Sequence, residues 1–271
     1  MITEARLHQM AADLIGVDGV AAVVLGGSRA RGTHRPDSDV DLGVYYERGR
    51  LDVRALEVLA ERWVGAPAQV ARPGSWGPWV DGGAWLTVDG TPVDWILRDL
   101  DRVREQCERA TRGEFAFFNQ PGHPLGFLDV AYAGEVATAL LLRDPTAVLA
   151  GLRGSITPYP PALRDAMLRN LWQVDFLLDG AAKGAKRGDT SYVALCAAHA
   201  VLLVAHAWHA AAGEWATNEK GLVLDVERLG IETNGFTTSA TRLLGSLGQD
   251  PGELDHAIGQ LRGLPRPDSA Q

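Results

Sequence analysis

Apolar residues in the first part of the chain follow two periods, one typical of helices and one typical of strands. Residues 3–15 and 51–63 carry apolar side chains at helical spacing, whereas residues 20–25 form a continuous apolar run that predicts a buried strand. A second strand is predicted over residues 39–45. This mixture of helical and strand patterns indicates a sheet covered by helices.

A β-hairpin is predicted further along the chain. Residues 84–88 and 91–97 both have strand-like patterns, and Asp89 and Gly90 separate them. Asp-Gly is a strong signal for a two-residue turn, so the hairpin should place Asp94 beside the second strand. A charged helix over residues 99–112 is expected to close this part, and a linker rich in turn residues follows it.

The pattern from residue 127 onward is helical. Helices are predicted over residues 127–143, 145–153, 161–184, 190–212, 217–229, 237–247 and 251–262. We therefore expect an α+β fold with a mixed-sheet catalytic domain over residues 1–112 and an all-α domain over residues 127–264. Histidines interrupt the apolar stretch near residues 193–212, so no run is expected to span a membrane. Residues 265–271 are expected to be disordered.

Composition and charge narrow the function classes. The 271 residues are 46% hydrophobic, which is enough for a packed core, and carry a formal net charge of −8. An acidic chain does not favour broad nucleic-acid binding and suits cationic or small neutral acceptors better. Two cysteines and a start without a signal-peptide core predict a cytoplasmic protein, while the oligomeric state stays open.

Candidate chemistry is concentrated between residues 26 and 41. Gly27 and Ser28 follow the first strand, where glycine lets backbone N–H groups approach an anion closely. Asp39 and Asp41 are two residues apart on a strand, so both carboxylates should lie on one face, about 6.6 Å apart. Such a pair can hold one or two divalent cations. Asp37 is interpreted as a turn residue.

This segment resembles the nucleotidyltransferase superfamily typified by DNA polymerase beta. Within it, the segment resembles the small antibiotic nucleotidyltransferases that act on aminoglycosides and lincosamides. The family pattern is Gly-Ser followed by Asp-x-Asp on the next strand, and Gly27, Ser28, Asp39 and Asp41 match it. Family members place a third carboxylate on a later strand, which Asp94 matches. The resemblance covers about the first 110 residues and is looser beyond them.

The resemblance implies a metal-dependent transfer reaction. Asp39, Asp41 and Asp94 would hold two Mg²⁺ ions. Asp94 would also promote loss of the acceptor hydroxyl's proton, either by taking it directly or by lowering the pKa of that hydroxyl through the metal, and whether Asp94 or another carboxylate is the general base stays open. ATP or another nucleoside triphosphate would be the co-substrate. The residues expected to bind the triphosphate are Gly27, Ser28, Arg29, Arg31 and Lys220. Lys220 would reach it from the helical domain, although a surface salt bridge is the alternative.

Other features leave alternatives open. Glu135 and Asp129 are expected to bind a cationic acceptor, with a solvated helix face as the alternative. Trp76 and Trp79 either form a local hydrophobic clamp, which we favour, or line the acceptor pocket. Three side chains near one face of the helix predicted over residues 190–212 could form a zinc site: Cys196, His199 and His206. No matching ligand pair is evident elsewhere, so we assign no structural metal there.

Three functions fit the sequence. The first is transfer of a nucleoside monophosphate to a hydroxyl of a small molecule such as an aminoglycoside or lincosamide. The second is adenylylation of a protein partner, as in small antitoxin nucleotidyltransferases, which usually lack a large helical domain. The third is a non-catalytic nucleotide-binding regulator, which the presence of all three carboxylates disfavours.

Overall fold

The computed structural model describes residues 2–32, 34–35 and 38–268, and the chain divides into two compact units. Unit 1 comprises Met1–Arg109, Ala116–Gly122 and Gly126–Thr157. Unit 2 comprises Ala110–Phe115, His123–Leu125 and Pro158–Gln271.

Unit 1 is built on a mixed sheet. Its strands are β1 (Val20–Leu25), β2 (Val40–Tyr46), β3 (Gly83–Val88), β4 (Thr91–Asp99) and β7 (Leu140–Arg143), and β5 (Phe117–Phe118) and β6 (Phe127–Leu128) pair separately. The sheet order is β3-β4-β2-β1-β7, in which β2 and β4 are parallel and the other neighbours antiparallel. Its helices are α1 (Glu4–Ile15), α2 (Gly27–Ala30), α3 (Val53–Val64), α4 (Leu100–Thr111), which continues into unit 2, α5 (Ala131–Thr138) and α6 (Val148–Ile156).

The two faces of this sheet differ because side chains alternate along each strand. On β4, Val93, Trp95 and Leu97 are fully buried and belong to the core that also includes apolar residues of α1 and α3. Asp94 and Ile96 lie between them and point to the opposite face. The core thus fixes β4 and leaves its other face available for polar side chains.

The predicted hairpin is confirmed. Asp89 and Gly90 both adopt positive φ, 51° and 73°, as a tight two-residue turn requires. The pairing places Val88 opposite Thr91 and continues without interruption to Gly83 opposite Ile96.

Unit 2 is helical. Its helices are α7 (Pro161–Arg169), α8 (Trp172–Ala185), α9 (Thr190–Ala212), α10 (Leu222–Asp225), a 3₁₀ turn (Val226–Arg228), α11 (Phe236–Leu244) and α12 (Pro251–Arg262). Helix α9 packs against α7, α8 and α12. Helix α9 is long and apolar enough to cross a membrane by length and composition, contrary to the sequence expectation, but most of its apolar stretch is buried inside the protein. It is a core helix of this unit.

The α+β class is confirmed, but three local predictions are wrong. The helix predicted over 127–143 ends at Thr138, and the apolar residues after it form β7 on the open edge beside β1. The helix predicted over 161–184 is broken at Asn170 and Leu171. Arg266 pairs with Asp175, so the described part of the predicted disordered tail is held in place; residues 269–271 lie outside the described part of the chain.

Candidate active site

Three carboxylates meet on the exposed face of the sheet. Asp41 on β2 lies directly opposite Asp94 on β4 in the parallel register, and Asp39 precedes β2 by one residue. A carboxylate oxygen from each of the three lies within 4.8 Å of those from the other two. Asp39 is exposed, whereas Asp41 and Asp94 are partly buried. The structure therefore brings together the three aspartates that the sequence singled out.

The cluster is electrostatically unfavourable without a counter-charge. Burial, reinforced by the neighbouring charges of Asp41 and Asp39, raises the pKa of Asp94 to about 6. Three acidic oxygen donors at this separation form the kind of ligand set that Mg²⁺ takes. The residues present therefore fit a divalent cation, which would remove the mutual repulsion.

The glycine turn is in contact with this cluster. The Gly26 N–H donates a 2.8 Å hydrogen bond to the Asp41 carbonyl, which links the turn to β2. Gly27 has φ +62°, and a Cβ atom at this position would lie only 1.7 Å from Asp41 Oδ2. Position 27 must therefore be glycine for both conformational and steric reasons. The short helix α2 begins at Gly27.

The basic residues of the turn have different environments. The Arg29 side chain donates from Nε to the Asp39 carbonyl at 2.8 Å and from Nη2 to the Ser38 carbonyl at 2.6 Å. Arg29 thus fixes the backbone at the start of β2, and the phosphate contact predicted for it stays a prediction. Arg31 is exposed where α2 ends, and Ser28 lies within α2. Asp37, predicted to be a turn residue, lies outside the described residues.

The two predicted acceptor ligands are already engaged inside unit 1. The Glu135 carboxylate accepts two hydrogen bonds of 2.7 Å from the buried Arg98 guanidinium. Asp129 is only 1% exposed, accepts hydrogen bonds from the Ala116 and Val130 amides, and lies 3.1 Å from Arg109. These contacts argue against the predicted role of either carboxylate in binding a cationic acceptor.

Lys220 lies in unit 2. It is exposed and follows Glu219, whose carboxylate is 2.9 Å from the His123 ring. The Lys220 backbone N–H donates to the Asn218 side chain, which shapes this short turn. Its contact with a triphosphate stays a prediction.

The sequence reasoning missed Trp85. This residue lies opposite Asp94 in the β3–β4 register and is 69% exposed. Its ring stacks on that of Trp76, with centroids 4.1 Å apart and planes 15° from parallel. Trp79 instead packs among Phe118 and other aromatic side chains, as expected of a hydrophobic clamp.

Comparisons with known proteins find similarity in the N-terminal part of the chain. Residues 11–70 match the family described as "Nucleotidyltransferase domain", a range that includes the glycine turn, Asp39 and Asp41. A solved structure, a nucleotidyltransferase-like protein from Exiguobacterium sibiricum 255-15, aligns over 95% of this chain and 74% of its own, with 12% identity and a TM-score of 0.45. A search of curated proteins found no match. Residues 11–70 are thus similar to a nucleotidyltransferase domain, and the similarity lies in the segment that carries the glycine turn, Asp39 and Asp41.

Proposed function

We propose that this protein is a Mg²⁺-dependent nucleotidyltransferase that moves a nucleoside monophosphate, AMP from ATP in the favoured form, to a hydroxyl of a small molecule. The observation that carries the proposal is the cluster of Asp39, Asp41 and Asp94 within 4.8 Å, directly beside the glycine turn. An isolated acidic cluster is common on protein surfaces. Here the cluster lies beside a glycine turn, and the turn, Asp39 and Asp41 all fall inside the segment that matches the nucleotidyltransferase domain.

In this reaction the acceptor oxygen forms a bond to the α-phosphorus while the bond to the bridging oxygen of pyrophosphate breaks. Asp39, Asp41 and Asp94 would hold the divalent cations. Bound there, the cations would neutralise phosphate charge and stabilise the attacking and leaving oxygens.

The chain's own residues supply the remaining requirements. Backbone N–H groups at Gly27 and Ser28 would hold the β- and γ-phosphates. Arg29 keeps the Asp39 backbone in place through its two carbonyl contacts. The Asp94 carboxylate would accept the proton of the acceptor hydroxyl.

The acceptor is proposed to be a small molecule such as an aminoglycoside or a lincosamide, following the resemblance of the sequence to antibiotic nucleotidyltransferases. Lys220 is proposed to contact the triphosphate. We also propose a cytoplasmic location, because Cys107 and Cys196 are both free thiols buried in the core.

The test combines a substrate screen with one variant. Each of the four ribonucleoside triphosphates is incubated with Mg²⁺ and a panel of aminoglycosides and lincosamides, and pyrophosphate release and product mass are measured. Asp41→Asn is expected to lower the rate at least about 100-fold while circular dichroism stays unchanged, since a metal ligand is lost but little packing.

The matched control is Asp255→Asn, which alters an exposed aspartate on α12 in the other unit and should leave the rate unchanged. An Asp41→Asn variant that keeps more than about a tenth of the wild-type rate would contradict the catalytic assignment, because a factor of ten is only 1.36 kcal/mol of barrier. Wild-type protein that binds a triphosphate but releases no pyrophosphate would favour the regulatory alternative.

A further inference from the structure

We propose that Trp85 and Trp76, here called the indole platform, form the binding surface for the acceptor, and that the acceptor presents a ring face to it. This inference rests on the proposed function and specifies its substrate class. It uses only residues of unit 1.

The register of three neighbouring strands places the platform beside the acidic cluster. Trp85 on β3 is paired with Asp94 on β4, and Asp94 is paired with Asp41 on β2. Directly paired residues share a face of the sheet, with Cβ atoms about 5 Å apart in antiparallel pairs. The side chains of Trp85 and Asp94 therefore project from the same face of the sheet, the face that carries the cluster.

The platform borders a cavity of about 620 Å³, which is large enough for a small molecule. The cavity is lined by Trp85, by Trp76 and its neighbours, and by Gln120 and the two residues after it. A tryptophan that is 69% exposed leaves one large apolar side chain partly open at the mouth of this cavity. Exposed aromatic surface next to polar groups is typical of ligand sites.

Trp76 is held in place by buried hydrogen bonds. The Gln120 side chain, only 3% exposed, donates to the Trp76 carbonyl at 2.7 Å and accepts from the Trp79 and Val80 amides. Gly77 lets this amide approach, because a Cβ there would lie 2.6 Å from Gln120 Oε1. Ligand binding therefore meets a preformed surface rather than a surface that must first be ordered.

The order of elements across the sheet distinguishes the acceptor from the nucleotide base. The glycine turn follows β1, and Asp41, Asp94 and Trp85 then lie on β2, β4 and β3 in that order. Pyrophosphate would leave toward the glycine turn, where the β- and γ-phosphates are proposed to bind. In-line displacement requires the attacking oxygen on the opposite side of the phosphorus, which is the side of Asp94 and Trp85.

The chemistry of the platform defines the acceptor class. An indole face binds flat rings and the apolar C–H face of sugars, and it also attracts cations that lie over the ring. A hydroxyl on the edge of such a ring would reach Asp94 while the ring face covers Trp85. We therefore infer an acceptor whose reacting hydroxyl is carried by a sugar or another compact ring.

The test measures binding in a complex that cannot react. Protein with Mg²⁺ and α,β-methylene-ATP is titrated with kanamycin, spectinomycin, lincomycin and methyl α-D-glucoside by calorimetry, and saturation-transfer NMR records which ligand protons lie near protein. At least one compound is expected to bind with its ring C–H protons closest to the protein. Trp85→Ala should raise its dissociation constant at least fivefold, and Trp85→Phe less than twofold.

Trp172→Ala is the matched control, because Trp172 is 63% exposed but lies on α8 in unit 2. It should change no dissociation constant. The inference is wrong if no compound in the panel binds, if Trp85→Ala leaves binding unchanged, or if it weakens binding of α,β-methylene-ATP instead, which would make the platform a base site. A compound that binds through Trp85 but yields no product with ATP contradicts the proposed transfer and not this binding surface.

Discussion

Replacing Gly27 with alanine should separate metal binding from folding. The added methyl would lie 1.7 Å from Asp41 Oδ2 and 2.7 Å from its Cγ, which is too close for non-bonded atoms. The clashing atoms belong to the end of a short side chain, which can rotate away without moving the backbone. The fold should therefore survive the substitution while Asp41 leaves its position beside Asp94.

Gly32→Ala is the matched control for the stability lost when alanine is placed at positive φ. Gly27 and Gly32 have nearly the same φ, +62° and +68°, but none of the described atoms lies within 4 Å of a Cβ at position 32. Alanine in this left-handed conformation costs about 1–2 kcal/mol at either site. If Asp41 is the metal ligand proposed above, displacing it also lowers the cation affinity. We expect this loss to exceed tenfold, since disturbing groups that only support metal ligands already costs tenfold or more.

Urea denaturation and Mn²⁺ titration followed by electron paramagnetic resonance provide the two measurements. Both variants should lose the same free energy of unfolding within about 0.5 kcal/mol, since the same left-handed strain applies to each. Only Gly27→Ala should weaken Mn²⁺ binding. Equal Mn²⁺ affinities in the two variants would refute the reasoning, because Asp41 would then not need the space above Gly27.

Three further predictions concern other parts of the chain. Burial, with the nearby charge of His209, lowers the pKa of His206 to about 4. Below pH 6.5 this histidine is protonated in the unfolded chain, whereas in the folded protein it is protonated only near pH 4. The free energy of unfolding, measured by urea denaturation, should therefore fall by about 2 kcal/mol from pH 7 to pH 5, and the fall should be smaller in His206→Gln. Glu135→Gln should lower the free energy of unfolding by about 3 kcal/mol in the same urea experiment, because Arg98 loses its buried counter-charge. An unchanged free energy of unfolding would make Glu135 a candidate acceptor ligand again. Lys220→Ala should raise the KM for nucleotide far more than that for the acceptor, and equal effects would assign Lys220 to the surface.

The centre of the sheet in unit 1 could be predicted from local sequence patterns, because an Asp-Gly turn between two apolar runs indicates a β-hairpin. The Asp89-Gly90 turn fixes the hairpin register, and counting outward from it pairs Trp85 with Asp94. The position of Trp85 beside Asp94 can therefore be predicted from the sequence alone. What the turn could not show is that the Trp76 ring comes from a distant loop to stack on Trp85.

Other features depend on contacts that no local pattern records. Glu135 lies on a short helix, where its spacing looks the same whether it faces solvent or a buried arginine such as Arg98. Residues 140–142 are apolar and follow a helix, so the pattern predicts another helical turn, whereas in the structure they pair with the edge of β1. Arg29 gave the same signal as an anion-binding arginine, yet its partners are two carbonyls.

The edge position of β3 has a consequence for engineering. The buried side chains of this strand, Ala84, Leu86 and Val88, hold the hairpin on the core, while Trp85 and Thr87 face outward between them. The outward pair can be randomised in a library without altering the residues that anchor the strand or the aspartates on the central strands. Under the acceptor role proposed for Trp85, selection at positions 85 and 87 would change which acceptor binds, because neither substitution alters the three aspartates.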